Sequence, residues 1–399
     1  MGSQPSEKVH LTLWHGVNPP PNRDILQTLV DQFNQTHPNI HVESLYVGQS
    51  AQQMPKILAA VVGNAPPDLL WYAPMITGQL VELDAIRPLE KWLTDRPVFH
   101  DIDPSLLESM QWERHIWSIP FGVNNVGIFY RPSLFKAAGI TQLPKTWDEL
   151  RQVAKALTSQ ANGQNRHGMI LPLGKGEWTV FTWLPFMWSG GGELVTNQSD
   201  RVNLVNSGAI AALQLWQRLL EDGSAILSQP ERGFELDDFL AGRVAMQLTG
   251  PWTLGQLATT QVDFGVMPIP SEQKPATVIG GENLFVFKTT PKQEQAALEF
   301  ADYVLSEPFQ TAWAVGTGYL PVNLRSRQSA AYQHFIATQP AVKMFLEQAQ
   351  YGRSRPISPG YNRISENLGR AIEAVLLNKA SPQTALQLSQ QRLELSLSN

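Results

Sequence analysis

Between Gly174 and Glu193 the chain reads GKGEWTVFTWLPFMWSGGGE, placing Trp178, Phe181, Trp183, Phe186 and Trp188 within eleven residues, ahead of Gly190, Gly191 and Gly192. Planar side chains followed by backbone that can approach a ligand closely suit a sugar ring, which is apolar on its faces and hydroxylated at its rim. Trp178, Trp183 and Trp188 are therefore candidate stacking residues. The plainer reading is a core helix, because Trp183 lies five residues from each of the other two and the three do not share one helical face. Carboxylates are the second chemistry-bearing type. Glu177, Glu193, Glu282 and the pair Asp237-Asp238 are the candidates for the two acids of a glycosidase, although each also reads as a solvated charge, and Asp237-Asp238 as acids at a helix start. Gly174-Lys175 is not a phosphate loop: five residues rather than four separate Gly174 from Gly168, and Gly176 stands where Ser or Thr would bind magnesium. The eight histidines show no metal spacing and no G-x-S-x-G elbow occurs, so neither cofactor nor metal is expected.

Such residues need a scaffold, and 399 residues suffice for two or three cores. With 30 basic against 35 acidic residues, the net charge of −5 offers no basic field for nucleic acid or a membrane surface, and the expected partner is a small neutral or weakly charged molecule. The absence of cysteine excludes disulfides, thiolate metal sites and a cysteine nucleophile. No apolar run approaches eighteen residues. Met1-Gly2-Ser3 reads as an expression remnant, and a natural signal peptide is expected to be missing. Asn34-Gln35-Thr36 and Asn197-Gln198-Ser199 fit the glycosylation pattern as easily by chance as by design.

The periods alternate from the start. Val9, Leu11 and Leu13 predict a strand, residues 25–33 a helix, 41–46 a strand, 54–62 a helix and 68–71 a third strand, so the opening lobe is read as an α/β sheet. Ligands of such sheets sit at the carboxyl ends of the strands, here Trp14-His15-Gly16, Tyr46 to Gln49 and Tyr72-Ala73-Pro74. Residues 116–130 predict two strand pieces broken by Pro120, Gly122 and Asn124-Asn125, crossing between lobes. A capping box at Thr146 and Glu149 opens a further α/β unit, and a polar turn covers Asn162–His167. Helices are predicted from Ser207 and from Thr290-Pro291, strands at 244–248, 264–270 and 284–287, and a mostly helical tail beyond Leu324.

Several segments, in order, resemble one family. LTLWHG, FNQTHPNIHVESLYVG, GNAPPDLLWYAP, SIPFGVNNVGIFYRPSLFKAAGI, PKTWDEL, GPW at Gly250, VIGGENLFVF, GTGYLPVN and SRPISPGYNRIS together resemble the extracellular solute-binding proteins of carbohydrate-type ABC importers, near the glycerol-3-phosphate and glycerophosphodiester binders. The resemblance implies a two-lobed α/β periplasmic-binding-protein fold, with a hinge and a ligand cleft between the lobes. The lobes would comprise residues 1–120 with 278–323, and 121–277 with 324–399. It implies a monomer without catalytic activity, periplasmic or otherwise extracytoplasmic, lipid-anchored or secreted, that hands its ligand to inner-membrane permease subunits.

Carried over position by position, the family's pocket falls on His15, Tyr46, Tyr72 and Asn124 or Asn125, on Trp178, on Trp252 after the Gly250-Pro251 turn, on the backbone of Gly281 beside Glu282, and on Arg355. Where the phosphate-ester binders carry an acid after the third-strand tyrosine, this chain has Ala73. That departure favours a neutral disaccharide or sugar–polyol glycoside over glycerol-3-phosphate or a glycerophosphodiester. A carbohydrate-active enzyme is the remote alternative.

Overall fold

The structure is a computed structural model describing residues 8–160, 165–195 and 201–397, the side chains of residues 50–52 and 397 apart. Met1-Gly2-Ser3, the first half of the turn expected at Asn162–His167, and Asn197-Gln198-Ser199 lie outside the described residues.

Strand β1 (Val9–His15) pairs in parallel with β2 (Ile40–Tyr46) on one side and β3 (Leu69–Tyr72) on the other. The helix between β1 and β2, Pro20–Thr36, buries Leu26, Leu29, Val30 and Phe33 along one face, as its three- and four-residue spacing requires. A short hairpin of β4 (Gln111–Trp112) and β5 (His115–Ile116) leads into β6 (Ile119–Asn125). A second sheet then runs through β7 (Gly127–Tyr130), β8 (His167–Leu171), β9 (Ala225–Leu227), β10 (Val244–Thr249) and β11 (Gly265–Met267), in the order β11-β7-β10-β8-β9. Finally β12 (Thr277–Val286) returns to the first sheet antiparallel to β3 and β6, with β13 (Gly352–Arg353) at the edge, giving β13-β12-β3-β1-β2. The two sheets and their helices make two lobes.

Three segments knit the lobes together. β6 and β12 run antiparallel, and Val123 exchanges backbone hydrogen bonds with Leu320. The break expected within 116–130 is not at Pro120, Gly122 or the asparagine pair. β6 continues fully buried through all of them and ends only before Val126, because its carbonyls and amides are matched by β12. Likewise residues 277–286 form one ten-residue strand, which begins seven residues before the short run expected at 284–287.

The capping box is present: the Glu149 amide donates to Thr146 Oγ1 (3.2 Å) and the Thr146 amide to Glu149 Oε2 (3.3 Å). The aromatic stretch is a helix, Glu177–Ser189, apolar on nearly every side and buried accordingly. Its glycines serve packing rather than a ligand. Gly191 adopts φ +83° just past the helix end, and a Cβ on Gly208 would lie 2.1 Å from the Gly192 amide, so the helix Ser207–Glu221 crosses backbone against backbone.

Candidate functional site

The carboxyl ends of the first three strands converge on one side of the crossing strands. His15, at the end of β1, is buried, its Nδ1 accepting from the Val17 amide at 3.3 Å. Burial, with the nearby Arg23 charge, pulls its pKa down to about 4, so the ring is neutral near pH 7. Tyr46, ending β2, is 42% exposed at the rim, with the Arg23 guanidinium 3.6 Å over its ring and its hydroxyl accepting from Asn18 at 3.3 Å. Tyr72, ending β3, is buried, and burial raises its pKa; the charges of Glu177 and Arg355 also act on its hydroxyl.

The facing lobe presents the first turn of the aromatic helix. Trp178 is half-buried and meets Trp252 edge to face, with ring centroids 5.9 Å apart and planes at 81°. Phe181 lies 5.9 Å and Phe234 6.5 Å from Trp178, so two indoles and two phenyl rings form one aromatic corner. Gly250 holds Trp252 in place: a Cβ there would fall 2.0 Å from the indole. From the first lobe, Asn22 Nδ2 donates to the Trp252 carbonyl at 3.0 Å, tying the two lobes at that turn.

Arg355 sits beside this corner. Its guanidinium lies 4.4 Å over the Phe181 ring, and Nη1 donates to Glu177 Oε1 at 2.5 Å. Glu177 also accepts from the Tyr361 hydroxyl at 2.8 Å and from Ser365 Oγ. The buried Arg355 cation is thus matched by a carboxylate that accepts from three donors. One residue earlier, the amides of Lys175 and Gly176 both donate to Glu231 Oε1, at 2.8 and 3.3 Å, so the helix N-terminus is capped by the protein's own anion.

The floor is made by β6 and β12. Gly280 pairs with Asn124 and Glu282 with Gly122, so Asn124 and Glu282 share a face. Gly281 has φ +119°, and a Cβ on it would strike the Gly122 carbonyl at 2.1 Å, which only glycine avoids. A narrow recess of about 20 Å³ on the Val123 and Ile279 side of this ladder is lined by Pro74, Met75, Leu106, Val123, Ile279 and Arg355. Burial drives the Glu282 carboxyl up to about 7, against the opposing influences of the Tyr319 hydroxyl and the Arg355 charge.

His15, Tyr46, Tyr72, Asn124, Trp178, Gly250, Trp252, Gly281, Glu282 and Arg355 therefore gather around one cleft. Three expected residues do not. Trp183 is fully buried in the second-lobe core with Phe186, Met187 and Trp216, because an all-apolar helix in a lobe interior turns its middle inward. Trp188 is buried in the same core under the Arg353 guanidinium, 4.9 Å away, which is itself doubly bonded to Glu193. Asn125 points to the opposite face of β6, donating to the Phe345 carbonyl (2.9 Å) and accepting from Gln348 (2.8 Å). There it lines a larger cavity of about 440 Å³ behind the crossing strands, with Leu106, Arg327 and Arg353. Asn125→Ala should lower stability by about 1–3 kcal/mol, the cost of orphaning buried partners, and leave ligand affinity unchanged. Urea unfolding and calorimetric titration of that variant check both halves.

Phe234, Tyr361, Ser365 and Glu231 were not anticipated, since each meets the site only through the fold. Of the proposed glycosidase acids, Glu193 is paired with Arg353 and Asp238 with Arg243, both away from the aromatic corner. No cluster of three or more His, Asp or Glu side chains suited to a metal, and no helix long and apolar enough to cross a membrane, occurs among the described residues.

A family model described as bacterial extracellular solute-binding protein matches residues 28–342. The chain belongs to the bacterial extracellular solute-binding proteins. The membership among extracellular solute-binding proteins expected from the motif order is met. This solute-binding protein is 21% identical over 372 residues to the maltotriose-binding protein of Pyrococcus abyssi, covering 92% of this chain and 77% of that one. It is 23% identical over 410 residues to the sn-glycerol-3-phosphate-binding periplasmic protein of Salmonella paratyphi A, covering 96% and 91%. Its fold matches the GacH receptor of Streptomyces glaucescens, solved unliganded and with acarbose, at TM-score 0.88 and 21% identity over 98% of this chain and 99% of that one. It matches UgpB of Mycobacterium tuberculosis, in complex with glycerophosphocholine, at TM-score 0.86 and 20% identity over 100% and 99%. These relatives are binding proteins, and the structural likenesses establish the two-lobed fold with its cleft.

Proposed function

We propose that this solute-binding protein captures a neutral carbohydrate, a disaccharide or a sugar–polyol glycoside, between its lobes and delivers it to an inner-membrane ABC permease. The observation that carries the reading is the Arg355–Glu177 pair: a phosphate ester needs an unmatched cation, and here the buried guanidinium is neutralised from within its own lobe. The Glu231 cap on the aromatic helix argues the same way. The indoles of Trp178 and Trp252 would hold the apolar faces of the rings. Asn124, Arg355 and the Gly281 backbone would meet hydroxyls. Contacts to both lobes exist only in the closed form, so ligand shifts the population toward closure, which the permease would recognise. On this reading the protein acts as a monomer outside the cytoplasmic membrane, either secreted or held by a lipid anchor.

Calorimetric titration with trehalose, sucrose, maltose, glucosylglycerol and glycerol-3-phosphate tests the reading, each ligand being recovered and checked for cleavage. Tight binding of an intact neutral glycoside is expected. Preference for glycerol-3-phosphate, as the relatives of that specificity would suggest, or hydrolysis of a glycoside, would overturn it.

A further inference from the structure

We propose that Glu282 is the specificity-determining residue of the cleft floor, accepting a hydrogen bond from a ring hydroxyl of the ligand and repelling anionic analogues; the proposal rests on the neutral-carbohydrate reading. One side chain from each of the three segments that join the lobes meets at this point. Tyr319, from the third crossing, donates its hydroxyl to Glu282 Oε2 on β12 at 3.0 Å, and Asn124 on β6 shares the Glu282 face of the ladder. Gly122, facing Glu282 across the ladder, is what admits the Tyr319 ring: a Cβ there would lie 2.8 Å from Tyr319 Cδ1. The network fixes the carboxyl but does not exhaust it. Among the described residues Oε1 has no hydrogen bond, and the buried Asn124 Oδ1 beside it has none either. Asn124 Oδ1 only accepts, as does the carboxyl once ionised, so the group that satisfies both must donate, as a sugar hydroxyl does and an ionised phosphate oxygen does not.

The neighbourhood leaves room for such a group. Glu282 itself is only half-buried, and the buried Arg355 Nε, whose charge acts on Glu282, has no partner among the described residues. A hydroxyl can accept from the arginine and donate to the carboxylate at once.

Bonding a hydroxyl favours the ionised carboxylate. Tyr319 and Arg355 are the titratable and charged groups acting on Glu282. Ligand binding therefore displaces a proton from Glu282, and affinity should rise about tenfold between pH 6 and pH 8. The experiment titrates the parent, Glu282→Gln and Tyr319→Phe with the tightest binder among trehalose, sucrose, maltose and glucosylglycerol, at pH 6, 7 and 8. Glu282→Gln should bind at least about thirtyfold more weakly than the parent at pH 8 and lose the pH dependence. Tyr319→Phe, which keeps the carboxylate, should retain the pH dependence with its midpoint moved up, and this variant carries the test should Glu282→Gln fail to fold. Parental affinity with a parental pH profile in Glu282→Gln, or a flat profile in Tyr319→Phe, would sink this proposal alone. A parent that binds none of the four sugars would sink the carbohydrate reading beneath it.

Discussion

Glu177→Gln should lower the stability of the unliganded protein by about 3 kcal/mol and at the same time create affinity for anions that the parent lacks. Arg355 is buried, with only 7% of its side chain exposed, and its partner Glu177 keeps 27%. Removing one charge of such a pair leaves the other desolvated and unpaired, and that penalty, rather than the loss of attraction, dominates the cost. Tyr361 and Ser365 lose a charged acceptor as well. The stranded guanidinium then becomes the unmatched cation that a phosphate ester requires. Glycerol-3-phosphate, which should leave the melting temperature of the parent unmoved, should raise that of the variant by binding its folded form. Thermal melts with and without glycerol-3-phosphate decide the matter. An unchanged melting temperature and no anion response in Glu177→Gln would mean that the pair does not set the charge of the cleft.

The second large effect is on affinity. Trp178→Ala and Trp252→Ala should each weaken the tightest neutral glycoside by about 2–3 kcal/mol, or roughly thirty- to 150-fold, with the circular dichroism of the parent retained. Both indoles are half-buried and stand nearly perpendicular, packed against the core by one side only, so each keeps a face or an edge for the cleft. Trp183→Ala is the contrasting variant. That indole is fully buried, and its removal should cost about 3–5 kcal/mol of stability. Equal affinity in Trp178→Ala, Trp252→Ala and the parent would place the ligand elsewhere.

Much of the scaffold could be read from local pattern. The order of strands and helices to β3, the Thr146–Glu149 box and the Thr290 cap with Pro291 behind it are signals carried within a few residues, and the structure keeps all of them. The orientation of the aromatic helix was not legible. A segment apolar on every side has no polar stripe to say which face is outward, so Trp178, Trp183 and Trp188 looked alike until the neighbouring helices were placed. Asn124 and Asn125 pose the same difficulty in a strand, where a step of one residue exchanges cleft for hinge interior. The Arg355–Glu177 bond spans 178 residues of chain, and no local signal could have announced it.

The return of β12 into the opening sheet also bears on how the molecule comes to exist. Leu284 pairs with Trp71, and Thr277 with Gly352 beyond that, so the first lobe cannot close its sheet until most of the chain has been made. Closing such loops before their contacts repay the entropy makes for slow folding. Meanwhile β3 waits with one edge unpaired, open to the strand of any neighbouring chain. Refolding of the purified protein is therefore a race between a late internal strand and an early external one, and dilution favours the native partner.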